Sequence, residues 1–235
     1  MTILNIETST TCCSAAITID GSCVASFDNL AGANHASELP VFIEKLLQEA
    51  SLKAWHLDAV ALSQGPGSYT GLRIGASIAK GICYGLNIPL IPVDTLQVLC
   101  AAVLEEYGSL GDEDVMLCPM LDARRMEVYT ALYKHNVDGL SSISNVQAQI
   151  IDSSAFTTEL EQQAIYFFGN GSAKCQLEIT HPNAHFIDDI VPQARYMGKL
   201  AERHNNPLDV KQMAYYEPFY LKEFVAAPSH IKGLK

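Results

Sequence analysis

The chain has 235 residues, of which 49% are hydrophobic and 17% are charged. Disordered chains and coiled coils carry far more charge than this, so the composition indicates a globular fold with a substantial core. Asp and Glu outnumber Lys and Arg by 26 to 15, and the basic residues do not cluster, so the chain is not expected to bind nucleic acid on its own.

The first half of the chain is predicted to contain five strands and three helices. The first three strands cover residues 3–7, 12–19 and 23–27. Asp20-Gly21, between the last two of them, is typical of a hairpin turn. Residue periodicity predicts the remaining elements as a helix over 37–50, a strand over 58–63, a helix over 70–86, a strand over 88–92 and a helix over 95–107.

The second half repeats this order of elements without visible residue identity. Its predicted elements are strands over 115–121, 126–134 and about 144–151, a helix over 154–163, a strand over 165–168, a short helix over 173–178, a strand over 185–187 and a helix over 192–204. Two copies of one β-β-β-α-β-α-β-α unit predict an α/β protein of two similar lobes facing a cleft. We place the first lobe at residues 1–108 and the second at 109–235, and the stretch from residue 215 onward is not assigned to an element.

A glycine-rich loop between a predicted strand and a predicted helix is the most informative stretch of the sequence. It reads Gln64-Gly65-Pro66-Gly67-Ser68-Tyr69-Thr70-Gly71-Leu72-Arg73-Ile74-Gly75. Free amide groups at such a junction can bind an anion, but the loop has neither the lysine of a Walker motif nor the spacing of a dinucleotide fingerprint. The spacing alone therefore favours a structural turn with close helix packing over a phosphate site.

The helix that follows this loop has a narrow polar surface. Its polar residues fall on one stripe, formed by Arg73, Ser77, Lys80 and Tyr84. The other surfaces are small or apolar, which predicts a helix that is buried on more than one side. One side is expected to pack on the sheet of its own lobe and the other to dock a second subunit. A helix that is covered wholly within the monomer is the alternative.

Acidic residues follow the first strand of each predicted lobe, and a short glycine turn comes later in the second lobe. The residues concerned are Glu7, Thr8 and Ser9, then Asp122, then Gly169 and Gly171. In a two-lobed ATPase, carboxylates at such turns would face the cleft and hold magnesium, while the glycine turn would contact phosphate. Polar hairpin turns with no ligand are the alternative.

The cysteines and histidines do not form a recognisable metal or disulfide pattern. The seven cysteines include no CxxC pair and lie mostly in apolar runs, which indicates reduced, buried thiols. His181 and His185 are predicted to lie in a surface loop, because Pro182 separates them and no third ligand is evident. With no signal-peptide pattern and no apolar stretch of ~18 residues, we predict a cytoplasmic protein without a membrane segment.

Five motifs spread along the chain together carry a family resemblance. They are Ile3-Leu4-Asn5-Ile6-Glu7-Thr8-Ser9, His35-Ala36-Ser37-Glu38-Leu39, the loop over residues 65–75, Asp122-Ala123-Arg124-Arg125-Met126-Glu127-Val128-Tyr129 and Pro218-Phe219-Tyr220-Leu221-Lys222. With these motifs the chain resembles the TsaB (YeaZ) family. Members of that family take part in making N6-threonylcarbamoyladenosine (t6A) at position 37 of tRNAs that read codons beginning with A.

The resemblance implies a fold of the actin/Hsp70/sugar-kinase (ASKHA) type, with two duplicated lobes that each contain a mixed five-stranded sheet and helices. It also implies a non-catalytic role. In that family the catalytic paralogue, TsaD, carries a metal-binding His-x-x-x-His motif, whereas this chain has His35 followed four residues later by Leu39. No metal or cofactor is therefore expected. The two acidic turns and the glycine turn would form a vestigial nucleotide cleft, and a nucleotide would bind only weakly or at the partner interface.

We therefore expect a scaffold subunit that pairs with a TsaD-type transferase through its first two helices and forms a homodimer through the same surface when alone. A TsaE-type ATPase and tRNA would join through the complex. The predicted interface residues are Leu39, Phe42, Ile43, Leu46, Gly71, Arg73, Ile74, Gly75, Ile78, Ala79 and Ile82. Gly75→Arg is expected to abolish the complex and leave the monomer folded. The alternatives are an ATP-dependent small-molecule phosphotransferase of the same fold and a metallopeptidase-like enzyme.

Overall fold

Two β-sheets, one from each half of the chain, organise the fold. The computed structural model describes residues 1–32, 34–108, 110, 115–136, 139–204 and 206–222. The first sheet contains β1 (Thr2–Glu7), β2 (Cys13–Ile19), β3 (Ser22–Asn29), β4 (Ala59–Gly65) and β5 (Leu90–Asp94). Its strand order is β3-β2-β1-β4-β5, with the first two neighbouring pairs antiparallel and the last two parallel. As predicted, Asp20 and Gly21 form the β2–β3 turn, both with positive φ.

Three helices from the first half of the chain pack on the first sheet. They are α1 (His35–Glu49), α2 (Tyr69–Leu86) and α3 (Thr95–Tyr107). Alternate residues of β1 point to opposite faces of the sheet, so Leu4 and Ile6 pack with α1 and α2, whereas Ile3 packs with α3. At the start of α2, the Ser68 hydroxyl accepts a hydrogen bond from the Gly71 amide at 3.3 Å. Helices α1 and α2 therefore lie side by side on the face of the first sheet that points away from the second lobe.

The second sheet repeats the topology of the first. Its strands are β6 (Met116–Asp122), β7 (Glu127–Thr130), β8 (Tyr133–Asn136), β9 (Gly139–Ser142), β10 (Gln147–Ile150), β11 (Ile165–Phe168) and β12 (Ala184–Ile187). The path β10-β7-β6-β11-β12 again has two antiparallel pairs followed by two parallel ones. The β8–β9 hairpin adds two strands beside β6, for seven in all among the described residues. The predicted repeat is therefore confirmed at the level of topology.

The second half differs from the prediction in having shorter elements. The strand predicted over 126–134 is divided into β7 and β8, because the buried residues Ala131 and Leu132 interrupt its pairing with β6. The helix predicted over 154–163 is reduced to α4 (Thr157–Leu160), because Phe156 has a left-handed backbone with φ of 61°. The short helices α5 (Gly198–Glu202) and α6 (Val210–Ala214), with 3-10 turns at Ala54–His56, Ala173–Cys175 and Ala194–Tyr196, complete the described elements.

After β12 the chain returns to the first lobe. The Ala194 amide donates a hydrogen bond to the Ser14 hydroxyl at 2.8 Å, and Leu208 exchanges backbone hydrogen bonds with Leu90 at 2.7 and 2.9 Å. Met213, in α6, is buried in the core beneath α2. The helix predicted over 192–204 is therefore a 3-10 turn followed by α5, laid across β2 and β3. The division of the lobes at residue 108 stays a prediction. Residues 223–235, which the sequence analysis assigned to the second lobe, lie outside the described residues.

The cysteines are placed as the sequence predicted. Six of the seven thiols are buried, and only Cys23 is exposed. Burial raises the pKa of Cys83 to about 12, which keeps that thiol protonated at neutral pH. Within the described residues, we find no helix with the length and apolar character that crossing a bilayer requires.

The glycines of α2 allow the helix to touch the turn after β1. A β-carbon at position 71 would lie 2.0 Å from the carbonyl oxygen of Thr8, and one at position 75 would lie 2.3 Å from the Thr8 hydroxyl. The same hydroxyl donates a hydrogen bond to the Gly71 carbonyl at 2.9 Å. The glycine-rich loop thus serves close helix packing, as its spacing favoured. The expectation that Gly75→Arg leaves the monomer folded is wrong, because a side chain there points into the core.

Gly71→Ala should lower the free energy of unfolding by roughly 1–3 kcal/mol, because the added methyl group meets backbone that cannot rotate away. Gly81→Ala is the matched control on the same helix, since a β-carbon at position 81 meets no atom within 4 Å. It should raise the free energy of unfolding by about 0.8–1 kcal/mol through helix propensity. Urea denaturation followed by circular dichroism measures both changes. Equal effects of the two substitutions would show that α2 does not pack on Thr8 in this way.

Candidate functional site

An apolar groove runs between α1 and α2 on the outer face of the first lobe. We call it the α1–α2 groove, and it is lined by Ala36, Pro40, Tyr69, Thr70, Arg73, Ile74, Ser77 and Ile78. Its volume is about 540 Å³. Both helices bury one side against the first sheet, which leaves Ile74 and Ile78 partly exposed between them. The Arg73 guanidinium closes one edge, where it donates to the Tyr69 hydroxyl at 2.8 Å.

The predicted interface residues divide into two groups. Six of them are buried against the first sheet or the turn after β1: Leu39, Ile43, Leu46, Gly71, Gly75 and Ala79. The other five reach the surface of the described chain: Phe42, Arg73, Ile74, Ile78 and Ile82. Apolar spacing alone does not separate a face that meets its own sheet from one that meets a partner. The groove also includes Ala36, Pro40, Tyr69, Thr70 and Ser77, which were not among the predicted interface residues.

A second, more polar cavity lies between the lobes. We call it the interlobe cleft, and its volume is about 670 Å³. The first lobe contributes Ser9, Thr10, Thr11 and residues 67–70, the second contributes residues 121–124, Tyr129 and Asn170, and residues 220–222 complete the lining. The structure therefore brings the turns after β1 and β6 to one cleft, as the repeat predicted. Of the six residues predicted for a vestigial nucleotide site, Ser9 and Asp122 line it.

Glu7 and Thr8 lie beneath the cleft and not in it. The Glu7 side chain is completely buried, and one of its carboxylate oxygens accepts a hydrogen bond from the Ser9 amide at 2.6 Å. The other oxygen has no hydrogen-bond partner among the described residues. Burial raises the pKa of Glu7 above its usual value, and the hydrogen bonds from its neighbours only partly oppose this.

Asp122 faces the cleft, but its carboxylate is already paired. It forms an ion pair with the Lys174 ammonium group, which also donates to the carbonyl oxygens of Arg125 and Glu127, both at 2.7 Å. No sequence pattern indicated that Lys174 would reach this turn, because 52 residues separate it from Asp122. The Asp122 amide in turn donates to the Asn170 side chain at 2.9 Å. On the second-lobe wall of the cleft, Asp122 is therefore bound to other residues of the same lobe.

The glycine turn after β11 is a packing feature. Gly169 and Gly171 are buried, and β-carbons at these positions would lie 2.5 Å from the Met120 carbonyl oxygen and 2.9 Å from the Leu121 carbonyl carbon. The Gly171 amide donates to the Met120 carbonyl at 2.9 Å, so that donor does not point at the cleft. The turn therefore holds β11 against β6, and its role in binding phosphate stays a prediction.

These side chains do not fit a magnesium-nucleotide site of the predicted form. The Lys174 ammonium group already lies at the Asp122 carboxylate, where a magnesium ion would sit, and Glu7 is buried beneath the cleft. In the described part of the chain, no three His, Cys, Asp or Glu side chains are grouped to hold a metal. His35 is buried with its Nε2 atom 2.9 Å from the Thr10 carbonyl, and Leu39 belongs to the core.

Comparison with known proteins places these features in a family. A family model described as TsaD, tRNA N6-adenosine threonylcarbamoyltransferase, matches residues 28–182. The chain is 28% identical over 231 residues to the tRNA threonylcarbamoyladenosine biosynthesis protein TsaB of Haemophilus influenzae, covering 96% of this chain and 95% of that protein. It is 26% identical over 210 residues to the protein of the same description from Bacillus subtilis, covering 89% of this chain and 85% of that one.

A solved structure gives the same result for the fold. YeaZ from Pseudomonas aeruginosa superposes with a TM-score of 0.78 and 24% sequence identity, covering 94% of this chain and 99% of that chain. Together with the repeated strand order, this likeness confirms the predicted two-lobed fold of the actin/Hsp70/sugar-kinase type. Each lobe contains the mixed five-strand path, and the second lobe adds the β8–β9 hairpin.

The buried carboxyl group of Glu7 should make stability depend on pH. Because its pKa is raised in the folded state, the folded chain binds more protons than the unfolded chain above pH 4.5. The contribution of Glu7 to the free energy of unfolding therefore falls as pH rises. Glu7→Gln should gain stability relative to the natural chain as pH increases from 5.5 to 8, measured by urea denaturation. Glu49→Gln, at an exposed position of α1, should show the same pH dependence of the free energy of unfolding as the natural chain. If Glu7→Gln also shows that same pH dependence, the pKa of Glu7 is not raised in the folded chain.

Proposed function

The chain belongs to the TsaB (YeaZ) family, within the wider tRNA N6-adenosine threonylcarbamoyltransferase family, and on this basis we propose that it is the non-catalytic subunit of a t6A-forming complex. In this proposal it pairs with a TsaD-type transferase, which modifies position 37 of tRNAs that read codons beginning with A. The chain would act by holding the transferase in its active arrangement. Participation in t6A biosynthesis follows from the family, and the division of roles is our inference.

The observation that carries this proposal is the α1–α2 groove. It lies on a face of the first lobe that no other part of the described chain covers, and it combines exposed and partly exposed apolar side chains with one arginine. Such surfaces are typical of protein interfaces, in which apolar cores with aromatic and arginine residues exclude water. On the same helix, β-carbons at Gly81 and Gly85 would meet no atom within 4 Å, so a partner helix can approach the backbone of α2 closely.

A scaffold role agrees with the chemistry of the cleft. His35 and Leu39 do not provide the paired histidines of the catalytic paralogue, and both side chains are buried. Asp122 and Glu7, the two carboxylates that a catalytic cleft would use, are held in an ion pair and in the core. We propose that the subunit works without a cofactor or metal of its own.

The two alternative functions receive less support from these side chains. A phosphotransferase of this fold needs a carboxylate that is free to hold magnesium near the phosphates, and Lys174 neutralises Asp122. A metallopeptidase-like enzyme needs grouped ligands, and His181 and His185 do not converge: the His185 ring stacks on Tyr166 at 5.0 Å, while His181 accepts a hydrogen bond from the Asn183 amide. The scaffold proposal gives a role to the α1–α2 groove, whereas a phosphotransferase or a metallopeptidase-like enzyme would not need it.

We propose that tRNA and a TsaE-type ATPase bind to the complex of this chain with the transferase. The net charge of −11 disfavours direct tRNA binding by the isolated chain, so tRNA would be held mainly by the transferase. A TsaE-type ATPase would join the assembled pair. When no transferase is present, the same α1–α2 groove would pair two copies of this chain, and all of these steps would take place in the cytoplasm.

Ile78→Glu should weaken binding to a TsaD-type partner roughly tenfold or more, because it places a charge in the apolar groove. Isothermal titration calorimetry with the purified partner measures the affinity, and circular dichroism checks that the variant is folded. Ile150→Glu is the matched control, since Ile150 is 71% exposed on the second lobe. Unchanged affinity of a folded Ile78→Glu variant would show that the partner binds elsewhere.

A further inference from the structure

The last described residues of the chain cross the mouth of the interlobe cleft. We call residues 216–222 the C-terminal strap. At its first-lobe end, the Lys80 ammonium group donates a hydrogen bond to the Tyr216 carbonyl at 2.6 Å. Three residues later, the Phe219 amide donates to the Gln64 carbonyl at 2.7 Å, at the end of β4. The strap therefore begins as an extension of the first lobe.

The far end of the strap is bound to the second lobe. Lys222 forms an ion pair with Glu127, and its ammonium group lies 5.8 Å from the centre of the Tyr129 ring. Between the two ends, the Tyr220 ring contacts the Tyr69 ring of the first lobe at 4.8 Å. The strap thus bridges the two lobes by contacts of three kinds: backbone hydrogen bonds, aromatic packing and an ion pair.

The first lobe is shaped to receive the strap. Gly65 has a φ of +114°, and a β-carbon there would lie 2.6 Å from the Phe219 carbonyl oxygen, so only glycine leaves room for the strap at this point. On the second-lobe side, Glu127 is neutralised by Lys222 just as Asp122 is neutralised by Lys174. Asp122, which lines the cleft, and Glu127, the first residue of β7, are thus both paired with cations of the chain itself.

From these contacts we propose that the C-terminal strap is a built-in bridge across the interlobe cleft, which holds the two lobes in one relative orientation. In two-lobed proteins that close around a ligand, the ligand contacts both lobes and stabilises the closed arrangement. Here residues 219–222 make such contacts from within the chain. This inference does not depend on the proposed function, because it concerns only the isolated protein.

The strap also connects the cleft to the α1–α2 groove. Tyr69 lines both cavities, and its ring packs on Tyr220 while its hydroxyl accepts a hydrogen bond from Arg73. Tyr69 is the first residue of α2. Release of the strap should therefore loosen the first turn of α2 as well as the walls of the cleft.

Hydrogen–deuterium exchange on the full chain tests the proposal. The variants are Tyr220→Ala, which removes the ring contact with the first lobe, and Lys222→Glu, which replaces the ion pair with repulsion. Their matched controls are Tyr215→Ala, at a tyrosine that is 90% exposed, and Lys211→Glu, at an exposed position of α6. Peptides covering residues 8–12, 66–72 and 122–130 report on the two walls of the cleft, and those covering β1 and β4 report on the folded core.

Both strap variants should raise exchange roughly three- to tenfold in the peptides on both walls of the cleft, while the core peptides and the two controls keep the exchange of the natural chain. A rise that is confined to the wall next to the substituted residue would overturn the proposal, because it would show a local contact and not a bridge between lobes. Unchanged exchange in both variants would overturn it as well.

Discussion

The fold depends on how closely α2 approaches the turn after β1. Glycines at positions 71 and 75 let the helix backbone touch Thr8, with distances that no larger residue permits. This contact fixes the height of α2 above the first sheet. It also places the start of the helix at the interlobe cleft and its outer surface beside α1. The α1–α2 groove and the interlobe cleft therefore both depend on one close-packed contact, which is why the glycine-rich loop is a structural element although its composition suggests an anion site.

The sequence predicts most of the first lobe but less of the second. Short apolar runs identify most of β1 to β5 and helical periodicity identifies α1 to α3, because these elements are built largely from buried apolar residues. In the second lobe, Phe156 interrupts a helical pattern through its backbone conformation, which composition does not reveal. The candidate site shows the same limit. Leu39 and Ile78 have the same apolar character, yet one packs on the sheet and the other reaches the groove, because only tertiary packing decides which face is covered.

The interlobe cleft lies where the repeated topology predicts it, but its two predicted carboxylates are not arranged to hold a magnesium nucleotide. The repeated topology brings the turns after β1 and β6 together, as it would in a two-lobed ATPase, but Glu7 is buried beneath the cleft and Asp122 is paired with Lys174. Lys174 reaches Asp122 and Lys222 reaches Glu127 across large sequence separations, so neither pair could be predicted from local spacing. The chain itself crosses this cleft, whereas the α1–α2 groove is left uncovered by the described residues.

The central claim is that this chain supports t6A formation without catalysing it. The most direct measurement is an omission assay, in which tRNA is incubated with a TsaD-type transferase, a TsaE-type ATPase and the enzyme that forms the threonylcarbamoyl adenylate, with and without this chain. Mass spectrometry then quantifies the modified adenosine. We expect product only when the chain and the transferase are both present. Equal product without the chain, or product from the chain without the transferase, would contradict it.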